Sequence, residues 1–364
     1  MSQNYLPQLA ELRARRLIAQ GLAASQARSD WNTNLNSPAL SAMHGMVALQ
    51  GQNYSNGVNA IALRSGSTTD DVLAAISSFD IVRCWSQRGT LHFVSAQDAG
   101  AIMRLTNPRI EKAAARRRTT LGLSQDDVQT ARAAFHSELR SRGLSDPLTR
   151  TEAYEVFADH GIDPTEQRGP HLLRTFGGEG AVVQGPRKGA EDTFVLLADV
   201  TFKGGLSGNT TDGSSTEHSV ESTLADIARR YVNSRGPICV ADFAWWLGLT
   251  KTQAKKALKL IDHLMVPFSL DSSVSPYAPT GTEFTGEKLT QNEYFMPAWQ
   301  KNVTEAELEA ALSLTLRLPA FDEYLMGYGS RTEVLPESLR NQVLTRNGIS
   351  WPFVVEEGVI TGRQ

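Results

Sequence analysis

Two glutamines separated by a single glycine, Gln50-Gly51-Gln52, have the types and spacing to orient a small polar molecule. Each primary amide has one acceptor oxygen and two N–H donors, so a pair of amides can hold a water molecule in a fixed orientation. Gly51 between them is free to adopt unusual backbone dihedrals. The structural alternative is a polar helix end and a turn, because a helical apolar pattern over residues 38–50 leads into the pair.

No other catalytic or metal-binding pattern is apparent in the sequence. The seven histidines lack the paired spacing of metal ligands, and the two cysteines, Cys84 and Cys239, cannot form a zinc ribbon. Neither a phosphate-binding glycine loop nor a nucleophilic serine turn is present. We therefore expect no metal and no cofactor. The carboxylate pair Asp322-Glu323 is expected to cap a helix or loop.

Length and composition indicate a globular protein with two to four domains. The chain has 364 residues, of which 41% are hydrophobic and 21% are charged. No apolar run approaches the roughly 20 residues that cross a bilayer, and the first residues lack the pattern of a secretory signal. Two cysteines far apart in sequence fit a reducing compartment. We expect a cytoplasmic protein with no membrane partner.

The net charge of −3 conceals an asymmetry along the chain. Residues 1–118 contain 13 Lys and Arg against 7 Asp and Glu, whereas the remainder contains 23 against 32. Much of the positive excess lies in the basic segment 104–118, where Glu111 opposes Arg104, Arg109, Lys112, Arg116, Arg117 and Arg118. Such a run is either a solvated helix face or a surface for a polyanion, and it predicts nucleic acid as a partner.

Helical patterns followed by strand pairs recur along the chain. Helices are expected over residues 8–22, 38–50, 57–64, 70–78, 95–105, 124–140, 149–158, 170–176, 221–232, 241–247 and 251–262. Hairpins are expected at 81–94, around Arg88-Gly89, and at 181–197, after a break at the glycine cluster 177–180. Residues 204–219 are expected to form a linker. The last part of the chain, from Val266, alternates short β-like runs with turns.

Several helices followed by a hairpin are typical of a winged helix. The sequence therefore predicts an α+β fold of tandem winged-helix (helix-turn-helix) domains with a small, β-rich, barrel-like C-terminal domain. The predicted domains are residues 1–122, 123–203, 204–275 and 276–364. Because winged helices are often regulators, one functional hypothesis is a DNA-binding protein without catalysis.

Three stretches, in the right order, resemble the AlkZ/YcaQ-type family of winged-helix DNA glycosylases. They are Gln50-Gly51-Gln52, then Arg88-Gly89-Thr90-Leu91-His92, then Leu318-Pro319-Ala320-Phe321-Asp322-Glu323-Tyr324-Leu325. The resemblance implies three tandem winged helices around a positively charged channel, acting as a monomer on damaged double-stranded DNA. It also implies excision of alkylated purines, including bulky or crosslinked adducts, with Gln50 and Gln52 as the catalytic residues. Gly51 departs from the family, whose middle residue is aliphatic or alanine, and we expect it to loosen the aim of the amides.

The chemistry of such a site follows from its side chains. A purine alkylated at N7 or N3 is cationic and already a good leaving group, so the protein has to place a water beneath the anomeric carbon and stabilise an oxocarbenium-like transition state. Neutral amides suit that task.

Arg88 is expected to contact phosphate or the damaged strand, with His92 beside it. The alternative is structural, with Arg88 bonded to loop carbonyls and His92 packed in the first domain.

Overall fold

A computed structural model describes residues 8–28, 35–203, 220–270, 293–345 and 347–364. The chain divides into two compact units, which we call the first unit (Met1–Thr69 with Glu221–Gln364) and the second unit (Asp70–Val220). The first unit therefore combines the two ends of the chain. The division into four domains stays a prediction, and the predicted linker 204–219 lies outside the described residues.

The N-terminal part of the first unit carries the two glutamines. It contains α1 (Gln8–Ala19), α2 (Pro38–Met46), β1 (Leu49–Gln50) and α3 (Tyr54–Ser65). Helix α2 begins at Pro38 because the Ser37 hydroxyl accepts a hydrogen bond from Leu40 N at 3.1 Å, as predicted for a capped start. The prediction that this helix continues to residue 50 was wrong. It ends at Met46, and Gln50 lies on a short strand.

The second unit contains two hairpins and long helices. Its elements are α4 (Thr69–Ser77), β2 (Ile81–Gln87), β3 (Thr90–Ser95), α5 (Ala96–Thr120), α6 (Gln125–Arg142), β4 (Leu148–Thr149), α7 (Arg150–Asp159), α8 (Arg168–Gly178), β5 (Val182–Gln184), β6 (Thr193–Leu196) and α9 (Leu197–Lys203). Within this unit the strands pair antiparallel in the order β3-β2-β5-β6-β4. Both predicted hairpins are confirmed.

Two sequence predictions for the second unit need correction. The helix expected to end at residue 105 continues through the whole basic segment to Thr120, with Pro108 inside it. Gly177 and Gly178, expected to break the chain, are helical and buried in α8. Any Cβ at Gly177 would overlap the ring of Trp85, and one at Gly178 would lie 2.6 Å from the Asn107 amide oxygen. These glycines allow α8 to approach β2 and α5 closely.

The rest of the first unit mixes helices and short strands. Its elements are α10 (Val220–Arg235), β7 (Ile238–Cys239), α11 (Val240–Leu247), α12 (Lys251–Lys259), β8 (Met265–Phe268), β9 (Tyr294–Pro297), α13 (Glu305–Leu312), β10 (Leu316–Leu318), α14 (Glu323–Met326), α15 (Arg340–Val343), β11 (Phe353–Glu356) and β12 (Val359–Arg363). Two antiparallel sheets form, in the orders β7-β9-β8 and β10-β11-β12. Apolar side chains of α1 pack with those of α13, α14 and β11 in one core.

One order of α-helices and strands occurs three times among the described residues. It runs helix, two-residue strand, two helices, strand, strand, and it begins at α2, α6 and α10. In the second and third copies the short strand pairs with the last strand of the copy, β4 with β6 and β7 with β9. The sequence pattern missed these short strands because two residues are too few to show alternation.

Candidate functional site

The glutamine loop, residues 50–53, connects β1 to α3. The Gln50 side chain is only 7% exposed, and its Oε1 accepts hydrogen bonds from Gly51 N at 3.0 Å and Gln52 N at 3.3 Å. Both lone pairs of this oxygen are thereby used, so Gln50 has only its Nε2 donors left to offer. Gln52 is exposed, as is Asn53, whose side chain caps α3 by accepting from Asn56 N at 3.0 Å. The two amides are thus not equivalent.

The glutamine loop is longer than the same connection in the other two copies. In those copies the last residue of the short strand, Thr149 or Cys239, is itself the N-cap of the following helix. In the first copy the strand ends at Gln50 and the N-cap is Asn53. The connection in the first copy is therefore three residues longer, and the exposed Gln52 is one of these additional residues.

The Asp322-Glu323 pair borders this region, since helix α14 packs against β1. Asp322 caps α14 by accepting from Tyr324 N at 2.8 Å, which confirms the predicted capping role. Its two oxygens also accept from Arg64 Nη1 at 2.8 Å and Nη2 at 2.7 Å. Arg64 lies near the end of α3, so this fully buried pair ties that helix to α14. The neighbouring Glu323 pairs with Arg235 at 2.9 Å.

The β2–β3 hairpin turns at Arg88-Gly89, as predicted. Both residues have positive φ, 51° and 71°, and Gln87 faces Thr90 across the ladder, which defines a two-residue type I′ turn. Arg88 is half-buried. His92 is fully buried, and its Nδ1 donates to the Thr90 carbonyl at 3.0 Å, because a carbonyl oxygen can only accept. His92 therefore supports the hairpin from within.

Helix α5 presents the basic segment to solvent. Five of its basic side chains are exposed: Arg104, Arg109, Lys112, Arg116 and Arg117. The sixth, Arg118, is half-buried and donates a hydrogen bond to Glu111, which lies about two turns earlier on the same helix. At 100° per residue, Arg109, Lys112 and Arg116 follow one another at spacings of three and four and share one side of the helix, which we call the basic face.

Arg174 and His171 of α8 lie beside these basic residues, and no pattern in the sequence pointed to either. A Cβ on Gly89 would overlap the Arg174 guanidinium, so the arginine lies directly on the hairpin turn. Burial, followed by the charges of Arg118, Arg174 and Arg117, lowers the pKa of His171 to about 4. His171 is therefore neutral at physiological pH and surrounded by three cations. Only the three-dimensional packing of α5 and α8 reveals this cluster.

The structure thus groups the predicted residues into two sets. Gln50 and Gln52 belong to the first unit, whereas Arg88, His92 and the basic residues of α5 belong to the second. Across the described ranges, no three His, Cys, Asp or Glu side chains are arranged to hold a metal ion. None of the helices described has the length and apolar character needed to cross a membrane.

A helical unit with a strand pair, repeated three times and accompanied by an exposed basic helix, is typical of DNA-binding proteins. Comparison with known proteins narrows this class. The family model for AlkZ-like DNA glycosylases matches residues 43–364, so the chain belongs to the AlkZ-like DNA glycosylase family. It is therefore an enzyme, a DNA glycosylase, and the family decides against the hypothesis of a DNA-binding protein without catalysis.

Two matches come from Streptomyces sahachiroi. One is an interstrand DNA cross-link repair glycosylase, 24% identical over 330 residues that span 87% of this chain and 79% of that protein. The other is the solved structure of the DNA glycosylase AlkZ. It superposes with a TM-score of 0.65 at 20% identity, over 97% of this chain and 86% of that one. The second comparison shows that the mixed helix-and-sheet fold is shared.

Proposed function

We propose that this glycosylase hydrolyses the N-glycosidic bond of cationic, N7- or N3-alkylated purines in duplex DNA, including bulky or crosslinked adducts. The name of the Streptomyces relative, a cross-link repair glycosylase, supports this substrate class. Gln50 and Gln52 position the attacking water. The reaction releases the damaged base, leaves an abasic sugar and requires no cofactor.

The observation that carries the proposal is the hydrogen bonding of Gln50. Because its Oε1 is occupied by two backbone N–H groups, Gln50 can present only Nε2 to a water molecule. One N–H donated to a lone pair of the water leaves the other lone pair directed at the sugar. The exposed Gln52 then supplies the acceptor oxygen for a water proton. The two amides divide the task of orientation between them.

The two carboxylates of α14, the helix that packs against β1, are consistent with a cationic substrate. Asp322 and Glu323 both accept hydrogen bonds from buried arginines, which is the role of a carboxylate and not of a proton donor. Neither group is therefore placed to protonate a leaving base. A neutral purine needs that proton to leave, whereas a purine alkylated at N7 already carries the positive charge.

We further infer that DNA lies against the basic surface of the second unit. Arg88 and Arg174 at the hairpin, together with the exposed cations of α5, contact phosphates, and His92 holds the hairpin in shape. The three copies of the recurring element order are winged helices, and the predicted domain 276–364 is the small β-rich domain at the C-terminal end. The enzyme works as a monomer.

The division of labour between the amides predicts different responses to the same substitutions. Gln50→Ala and Gln52→Ala should each lower single-turnover excision of an N7-alkylguanine by at least about tenfold, or about 1.4 kcal/mol of barrier. Gln50→Glu keeps the acceptor for the two backbone N–H groups but loses the donors, so it should be as slow as Gln50→Ala. Gln52→Glu keeps an acceptor and should retain more activity than Gln52→Ala. Abasic sites are measured by strand cleavage at saturating enzyme.

The control for these variants is Gln125→Ala, an exposed glutamine at the start of α6, which should excise at the wild-type rate. Binding to undamaged duplex should be unchanged in all variants. Wild-type excision by both alanine variants would remove the glutamines from the mechanism. If instead Gln52→Glu were as slow as Gln52→Ala, the assignment of Gln52 as the acceptor would be wrong.

A further inference from the structure

A strained turn precedes the glutamine loop. Val47 has φ 66° and ψ −55°, and Ala48 N donates to Met46 O at 2.7 Å, which together define a γ-turn of positive φ centred on Val47. A β-branched residue adopts this conformation only under constraint. Val47 is fully buried. We call residues 46–48 the Val47 turn; it directs the chain from α2 into β1, and Gln50 lies three residues beyond its centre.

One arginine bridges the two sides of the Val47 turn. Arg235 Nη1 donates to Met46 O and Nη2 donates to Ala48 O, each at 3.0 Å. These two carbonyls flank Val47, so the planar guanidinium fixes their separation. The bridge spans the fold, because Arg235 ends helix α10, far from residue 47 in sequence.

Glu323 and two aromatic rings fix the orientation of Arg235. Glu323 Oε2 accepts from Arg235 Nε at 3.0 Å and Nη2 at 2.9 Å, and the Trp246 indole N–H donates to the same oxygen at 3.2 Å. The guanidinium carbon lies 4.6 Å from the ring centre of Trp246 and 5.1 Å from that of Tyr231. Arg235 Nη1 also donates to Ser234 Oγ at 2.8 Å. All five N–H donors of the arginine are therefore used.

We propose that Glu323 and Arg235 are positioning residues, which hold the Val47 turn in its strained conformation and thereby aim the amides of Gln50 and Gln52. This inference rests on the catalytic role proposed for the two glutamines. A buried ion pair is a costly way to stabilise a fold, because an apolar pair of similar size often serves as well. Here every donor is directed at the backbone that leads into the glutamine loop or at the carboxylate that orients the arginine.

Arg235→Lys and Glu323→Gln test the inference in the full-length protein. Lysine retains the positive charge beside Glu323 but cannot donate to both carbonyls and the carboxylate in one plane. We expect single-turnover excision to fall between about tenfold and a hundredfold, since a displacement of about 1 Å costs this much. Affinity for duplex DNA should change less than about twofold. Hydrogen exchange of the peptides covering residues 46–53 should become faster in both variants.

Rescue at residue 47 separates positioning from general stability. Glycine adopts positive φ without strain, so Val47→Gly should restore most of the excision lost in Arg235→Lys. Val47→Ala makes a similar cavity but keeps the Cβ, and it should not rescue.

Arg16→Lys is the matched control. Arg16 is a fully buried arginine of the same unit, paired with Asp242 at 3.6 Å, and its replacement should leave the excision rate per folded molecule unchanged.

Two measurements separate the possible failures. Unchanged exchange of residues 46–53 in both Arg235→Lys and Glu323→Gln would overturn the inference, whatever the glutamines do. Faster exchange with wild-type excision would overturn it too, provided that Gln50→Ala and Gln52→Ala are slow. If those alanine variants also excise at the wild-type rate, the catalytic role proposed for the two glutamines is itself wrong. Equal rescue by Val47→Gly and Val47→Ala would show that relief of backbone strain is not the cause.

Discussion

The basic face of α5 offers a direct test of the proposed DNA contact. Lys112 and Arg116 are exposed, and no described residue forms an ion pair with either. We propose the double substitution Lys112→Gln and Arg116→Gln, because glutamine removes the charge while keeping a helix propensity close to that of lysine and arginine. Arg118→Gln is the control, since Arg118 is already paired with Glu111 on the same helix.

The expected change follows from counterion release. Lys112 and Arg116 are four residues apart, about 6 Å along the helix axis, so each can reach its own phosphate. Each phosphate contact contributes about −0.9 to the slope of log affinity against log salt concentration. Loss of both contacts should flatten the slope by about 1.8. Over a rise in salt from about 50 to 200 mM, the advantage of the wild type over the variant then shrinks about twelvefold.

Fluorescence anisotropy with duplexes of two unrelated sequences, at four or more salt concentrations, measures this slope. The double variant should lose affinity equally for both duplexes, because phosphate contacts carry no sequence information. Single-turnover excision at saturating enzyme should change little. A slope that equals that of the wild type would show that this side of α5 is a solvated face. A slope that flattens equally in Arg118→Gln would contradict the assignment of Arg118 as an internally paired residue.

Three more predictions concern single residues. Arg88→Asn should weaken duplex binding without lowering Tm, because asparagine tolerates positive φ better than arginine does; a lower Tm with normal binding would favour a structural role. Phosphate near the arginine cluster should raise the pKa of His171 from about 4, which NMR titration with and without duplex measures, and an unchanged pKa would place DNA elsewhere. Asp322→Ala, which leaves Arg64 without this buried partner, should lower the free energy of unfolding by about 3–5 kcal/mol in denaturant titrations, whereas a loss below about 1 kcal/mol would contradict its role in tying α3 to α14.

Local sequence signals predicted the elements that have strong local causes. The Arg88-Gly89 turn needs two residues of positive φ, and the glycine beside a polar residue indicated it correctly. The cap at Ser37 and the start of α2 were likewise predictable from a hydroxyl followed by proline. The end of that helix was not, because Val47 takes a conformation that valine disfavours, and its flanking carbonyls accept hydrogen bonds from Arg235 on a distant helix.

The partners of the buried charges were equally hidden from the sequence. Asp322 and Glu323 were predicted to cap a helix, and Asp322 does so, but their arginines lie more than 80 residues away in sequence. Arg174 and His171 gave no signal because each is an isolated residue on an amphipathic helix. A basic run can be read from composition, whereas a basic cluster built from several elements requires the packing that brings them together.

Comparison of the three copies shows what distinguishes the glutamine loop, for which we propose a catalytic role. In the second and third copies, Thr149 and Cys239 end the short strand and are also the N-caps of the next helix. No loop residue therefore separates strand from helix in these copies. The first copy adds three residues before its cap at Asn53, and this extra length lets Gln52 become exposed while Gln50 stays buried. A longer loop is also a looser one, which works against the fixed geometry that water positioning demands. Arg235 and Glu323 supply the constraint at the entry to the loop, and Arg64 and Asp322 supply it at the helix that follows. An exposed amide can thus be held by buried charges that never contact the substrate.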